Sequence, residues 1–159
     1  MTIVAFTNRV LAADSCWASN GTIDSLGRKI QRTKHGLVVG QAGDNDCRAI
    51  MDLLRSVKLP SHFPTTKAFM ETRCDFLGLC VFPNGRVFKI SSSNKLPETL
   101  DAEDVGVWEI AGFPYAAVGA GQELALGAMA AGKSARQAVA IACRHNTSCR
   151  LPVHSVTIG

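Results

Sequence analysis

A chain of 159 residues, 47% hydrophobic and 19% charged, has the make-up of one folded domain spanning 1–159 and reads as an ordinary globular chain rather than a disordered one. Its 17 Lys and Arg outnumber 13 Asp and Glu, for a net charge of +4. The basic residues are scattered (Arg28, Lys29, Arg32, Lys34, Arg48, Arg55, Lys58), which argues against a nucleic-acid surface.

No apolar stretch approaches the ~18–20 residues of a membrane span, so no membrane is expected as a partner. The first residues lack the basic-then-apolar pattern of a secretion signal, and a cytoplasmic protein is expected. None of the six cysteines lies in a Cys-x-x-Cys pair. Reduced thiols, no metal and no cofactor are expected, and His35, His62, His145 and His154 show no ligand spacing.

Residues 2–6 and 9–13 are short apolar runs separated by Thr7-Asn8, consistent with a tight hairpin. The stretch 15–25 is polar and reads as a loop. Strands are expected over 28–34 and 37–42, on either side of a turn at His35-Gly36. Over 44–57 the period changes. Cys47, Ile50, Met51, Leu54 and Val57 recur at three- and four-residue steps, with Asp44 available as an N-cap, so a helix is expected. Pro60 and Pro64 make 58–72 a connection with room for a short helical piece.

Apolar runs at 76–82 and 86–90 flank Pro83-Asn84-Gly85, and Asn-Gly between such runs signals a hairpin. Residues 92–106 are irregular, and short strands follow near 107–110 and 115–119. Leu124, Leu126, Ala128, Met129 and Ala131 then form a helix of small residues that Gly132 can end. Ser134 caps a second helix with Ala138, Ile141, Ala142 and His145 on one face. Pro152 breaks the pattern, and 153–158 alternates as a closing strand. Strands first, a helix, more strands, two helices and a strand argue for α+β, since βαβ alternation is absent. Two stacked antiparallel sheets with helices outside would use every element.

Thr2 is the first candidate for chemistry. A hydroxyl needs a base within reach, and loss of Met1 would put a free α-amine on the same residue. That amine has a reference pKa of about 7.7–8.0, so a nearby cation leaves much of it neutral.

The ordered blocks Thr2-Ile-Val-Ala, Ala12-Ala13-Asp14, Arg28-Lys29-Ile30, Gly40-Gln-Ala-Gly43, Val118-Gly119-Ala120-Gly121 and Ala125-Leu-Gly-Ala-Met resemble the proteasome β-subunit family. The likeness is nearest to HslV-type peptidases, in particular short bacterial or phage-borne members. It spans nearly the whole chain, with 58–72 and 92–106 least assignable. The resemblance implies an N-terminal nucleophile hydrolase fold of four αββα layers, assembled into a homo-oligomeric ring, with polypeptide substrates and an ATP-driven unfoldase as a candidate partner. It makes Thr2 the nucleophile, Lys29 the cation that lowers the pKa of its amine and hydroxyl, Asp14 the carboxylate that keeps Lys29 charged, and Gly43 the oxyanion donor.

The chain also departs from that pattern. Beside Gly121, Ala120 stands where the family has a serine, and Asn146 and Cys149 fall on an aspartate and a serine position. A methyl cannot pass a proton. Two other readings follow: a subunit that keeps the fold without the chemistry, and a hydrolase of a small amide, expected to be a monomer or dimer rather than a closed ring.

Overall fold

Two antiparallel hairpins seed two sheets. The computed structural model describes residues 2–19, 22–43, 47–95, 99 and 104–159. In it β1 (Ile3–Thr7) pairs with β2 (Val10–Ala13) around Asn8 and Arg9, both at positive φ (49° and 62°). Two left-handed residues in succession match the twist of the flanking strands. Arg9 is held there: its Nε donates to the Ile158 carbonyl (2.9 Å), and its own carbonyl accepts from the Ile158 N–H (2.7 Å). β10 (Tyr115–Gly119) joins the free side of β1 and β11 (His154–Thr157) that of β2, giving the order β10-β1-β2-β11.

The second sheet runs β5 (Ile30–Arg32), β6 (Val38–Gly43), β7 (Phe76–Val81), β8 (Val87–Ser92) and β9 (Gly106–Glu109) in chain order. The expected turn joins β7 to β8, with Gly85 at φ 88° closing it through its N–H to the Phe82 carbonyl (2.9 Å). One expectation is corrected here. The polar stretch read as a loop contains β3 (Cys16–Ser19) and β4 (Thr22–Leu26), a two-stranded ribbon. A ribbon that pairs with neither main sheet need not be apolar on both faces, so its composition reads as a connection.

Helices cover both outer faces. α1 (Arg48–Leu54) and α2 (Thr66–Glu71) lie on the five-stranded sheet, and α3 (Gln122–Ala130) and α4 (Ala135–His145) on the four-stranded one. The helix expected over 44–57 is shorter, with Cys47 at its N-cap position; Asp44 lies outside the described residues. The connection after it holds a 3-10 turn at Pro60–His62, and α2 is capped by the Thr65 hydroxyl, which accepts from the Ala68 N–H (3.3 Å). α4 starts with a reciprocal capping box between Ser134 and Gln137. Its buried face is Ala135, Ala138, Val139 and Ala142, while Ile141 is half-buried and His145, expected on that face, is exposed.

Three apolar layers result. Val4, Leu11, Val38, Leu79 and Val118 fill the space between the sheets. Ile3, Ala5, Ala12 and Val139 pack between the four-stranded sheet and its helices. Val39, Ile50, Leu54, Phe69 and Cys80 do so on the other side. β1 is buried along its whole length because it faces both layers, which is why Ile3 to Phe6 form an unbroken apolar run. This is the expected four-layer αββα sandwich.

The sheets approach closely at Gly40. A Cβ there would sit 2.5 Å from Val4 Cγ1 and 3.0 Å from Leu11 Cδ2. Gly40→Ala therefore overpacks the inner layer and is expected to cost about 1–3 kcal/mol, read as a lower urea midpoint at unchanged slope.

Candidate active site

The β1–β2 hairpin returns the chain to its own start. Thr2 precedes β1 and Asp14 follows β2, and the Asp14 N–H donates to the Ile3 carbonyl (3.2 Å). Lys29 immediately precedes β5 and is tied to β6 by the Gln41 N–H, which donates to its carbonyl (2.8 Å). Thr2, Asp14 and Lys29 are buried and in direct contact. The Thr2 hydroxyl donates to Asp14 Oδ1 and accepts from Lys29 Nζ, which also donates to Asp14 Oδ1 (3.0 Å) and to the Cys16 carbonyl.

The carboxylate is solvated entirely by protein. Besides the two side chains, Asp14 Oδ1 accepts from the Ile3 N–H (3.1 Å), and Oδ2 from the N–H groups of Cys16 (3.0 Å) and Arg150 (3.1 Å). Lys29 uses all three of its donors and lies 4.9 Å from the centre of the Trp17 ring. Burial pushes its pKa below the ordinary value, with the Asp14 charge opposing that shift.

Thr2 lines a cleft of about 420 Å³ with Ala42, Gly43, Phe76, Ser92 and Ala120 among its walls. Gly43 has φ 155°, and a Cβ on it would meet the Asp75 carbonyl at 2.5 Å. Gly119, at φ 106°, is pressed against Thr2: a Cβ would fall 2.0 Å from the Thr2 carbonyl oxygen. That oxygen accepts from the Ala120 N–H (2.8 Å), so the end of β10 fixes the backbone of Thr2.

Of the residues singled out in the sequence, Thr2, Asp14 and Lys29 touch one another, and Gly43 and Ala120 line the cleft with Thr2. Asn146, Gly121 and Cys149 stand behind Ala120. The Asn146 amide donates to the Ala120 carbonyl (2.9 Å), and a Cβ on Gly121 would lie 3.2 Å from Cys149 Sγ. Cys149 is buried, and a hydrogen bond from Cys143 lowers its pKa.

Three contributors were not legible beforehand: the Trp17 ring, the Arg150 N–H and the glycine conformation at 119. Trp17 lies three residues past Asp14, a signal that was available. Arg150 is 136 positions away, and no local pattern announces that contact.

The chain is similar in structure to BPH of Thiobacillus denitrificans solved in complex with epoxomicin, at a TM-score of 0.66 and 19% identity, over 99% of this chain and 98% of that one. It is likewise similar to eukaryotic HslV from Trypanosoma brucei, at a TM-score of 0.65 and 17% identity, over 98% of each chain. The chain has the HslV fold. No protein-family model and no curated protein matches the sequence. At these identities the likeness is one of fold, and it spans the sandwich from end to end. Among the described residues no helix is long and apolar enough to cross a membrane.

The lowered pKa of Lys29 has a measurable sign. Between that folded pKa and the ordinary 10.5 the unfolded chain binds more protons than the native one, so stability rises with pH across this window. Lys29→Met removes this contribution and leaves Asp14 without its cation, at a cost of about 3–5 kcal/mol. Urea midpoints from about pH 7 upward, compared between the native protein and Lys29→Met, should show the rise flattened in the variant.

Proposed function

We propose that the chain is a threonine peptidase of the N-terminal nucleophile type, with Thr2 freed by loss of Met1. The observation that carries this reading is the contact of the Thr2 hydroxyl with both Lys29 and Asp14 at the wall of an open cleft. Thr2 Oγ1 attacks a peptide carbonyl, and its proton passes to the α-amine of the same residue. The Lys29 charge stabilises the oxygen as it loses that proton, and Asp14 keeps the charge in place. The Gly43 N–H serves the oxyanion of the tetrahedral intermediate. The amine returns the proton to the leaving nitrogen, and water then releases the acyl group with the amine as base.

The substrates on this reading are polypeptides, cut inside a homo-oligomeric ring in the cytoplasm, with an ATP-driven unfoldase as a candidate partner. The likeness to HslV over the whole chain supports the ring as the working assembly.

Ala120 favours a second reading. It lines the cleft beside Thr2 with a methyl group, which neither holds a water nor relays a proton. A subunit that keeps the assembly and has lost the chemistry would tolerate it.

Intact mass before and after exposure to epoxomicin, the molecule held in the T. denitrificans structure, separates the two. Loss of Met1 and a single adduct on Thr2 are expected. Thr2→Ala should then lower peptide hydrolysis at least about 1000-fold. A retained Met1, or a Thr2→Ala protein with full activity, would overturn the peptidase.

A further inference from the structure

The strand that follows Lys29 runs into a turn with an unexplained hydroxyl. Thr33, just after β5, is 9% exposed, and its Oγ1 is buried without a hydrogen-bond partner among the described residues. The backbone of Thr33 is satisfied: its N–H donates to the Leu37 carbonyl (2.8 Å), and its carbonyl accepts from the Gly36 N–H (3.0 Å). Buried hydroxyls are nearly always hydrogen-bonded, so an orphan points to a missing partner.

Thr33 lines a cavity of about 240 Å³ with Gln31, Arg32, Lys34, Met51 and Arg55. Three cationic side chains and an amide therefore line the same cavity as Thr33. Asp52 pairs with Arg55 (2.7 Å) and answers one of the three charges, leaving an excess of two among the described residues. Arg32 gives one N–H to the Thr157 carbonyl (2.8 Å), one of the five donors a guanidinium carries. His35, in the same turn, is held below its ordinary pKa by desolvation and by the Lys58 and Lys34 ammonium groups. A second cavity of about 180 Å³ shares Gln31, Met51 and Arg55 and continues to Arg48 and Trp17.

We propose that this basic cavity binds a phosphoryl group, with Arg32, Lys34 and Arg55 as the charged donors and the Thr33 hydroxyl as the neutral one. A phosphate carries a charge of about −1.5 to −2 and three acceptor oxygens, which fits two excess positive charges and donors from several side chains. A carboxylate has one charge and is served by a single forked arginine. The ligand is free phosphate or the phosphoryl end of a larger molecule, and the shared second cavity gives the latter room. This assignment is independent of the chemistry at Thr2.

Calorimetric titration of the full chain at fixed ionic strength tests it, with inorganic phosphate, acetate and phenyl phosphate as probes. One saturable phosphate site is expected, with acetate at least about tenfold weaker. Arg55→Ala and Lys34→Ala, both at exposed positions, should each weaken phosphate about tenfold. Thr33→Val replaces the hydroxyl by a methyl of similar size. It should weaken phosphate severalfold while the thermal midpoint holds or rises, which also shows that the variant folds. Phenyl phosphate competing for the site identifies an esterified phosphoryl group as the ligand, and its exclusion identifies the free ion. Phosphate no tighter than acetate, binding that does not saturate, or Thr33→Val with undiminished affinity would each overturn the assignment.

Discussion

A lysine ammonium and a carboxylate have been taken out of water together, and the rest of the structure is arranged to solvate them. Removing such ions from water costs several kcal/mol each, and their attraction repays this only when the remaining donors and acceptors are also filled. Asp14 receives three backbone N–H groups besides Thr2 and Lys29. Lys29 finds Thr2, Asp14 and a carbonyl for its three donors, with an indole ring beside it. These partners come from both ends of the β1–β2 hairpin, the start of β3, the approach to β5 and the connection from α4 to β11. No single element holds the pair. The sandwich has to close for the charges to be tolerated.

Small residues let it close. Ala5 and Ala12 on the outer face of the four-stranded sheet meet Ala135, Ala138 and Ala142 of α4, a contact without large side chains. Helix and sheet therefore lie close, and the chain leaving α4 reaches the site. There Asn146 anchors the Ala120 carbonyl and Arg150 presents its N–H to Asp14. Gly119 serves the same end from the other side, since any side chain at that φ would strike the backbone of Thr2.

How much of this the sequence discloses depends on the range of the interaction. Hairpins closed by two or three residues are legible, because Asn84-Gly85 and the apolar runs beside it encode the turn locally. The β1–β2 hairpin is legible only in part: a turn at Thr7-Asn8 is expected, whereas the turn is Asn8-Arg9 with Thr7 paired to Val10, and that shift sets the register that brings Asp14 beside Thr2. Lys29 and Gly43 enter through the likeness of ordered blocks to a known family, and the structure brings both to the site region. The ribbon of β3 and β4 stays hidden, since strands that pair only with each other need no apolar alternation. The Arg150 contact stays hidden because it depends on helix packing between distant segments, which periodicity does not carry. His145 misleads for a related reason: it sits at helical spacing from Ala138 and Ala142, but it occupies the last turn of α4, where the chain turns away.

The burial of Lys29 bears on the proposed chemistry in a specific way. At rest the ammonium is penalised by its surroundings and held mainly by Asp14, while the Thr2 oxygen beside it is neutral. When that oxygen loses its proton, a second negative charge forms next to the lysine, and the penalty on the buried cation is relieved at that moment. An interaction that is stronger with the developing charge than with the resting hydroxyl lowers the barrier, whereas one equally strong in both states would not. A solvent-exposed lysine would offer little of this, because water would already screen it. The same burial that disfavours the Lys29 charge thus makes it useful to Thr2, and Asp14, fixed by backbone N–H groups from three segments, keeps it in place.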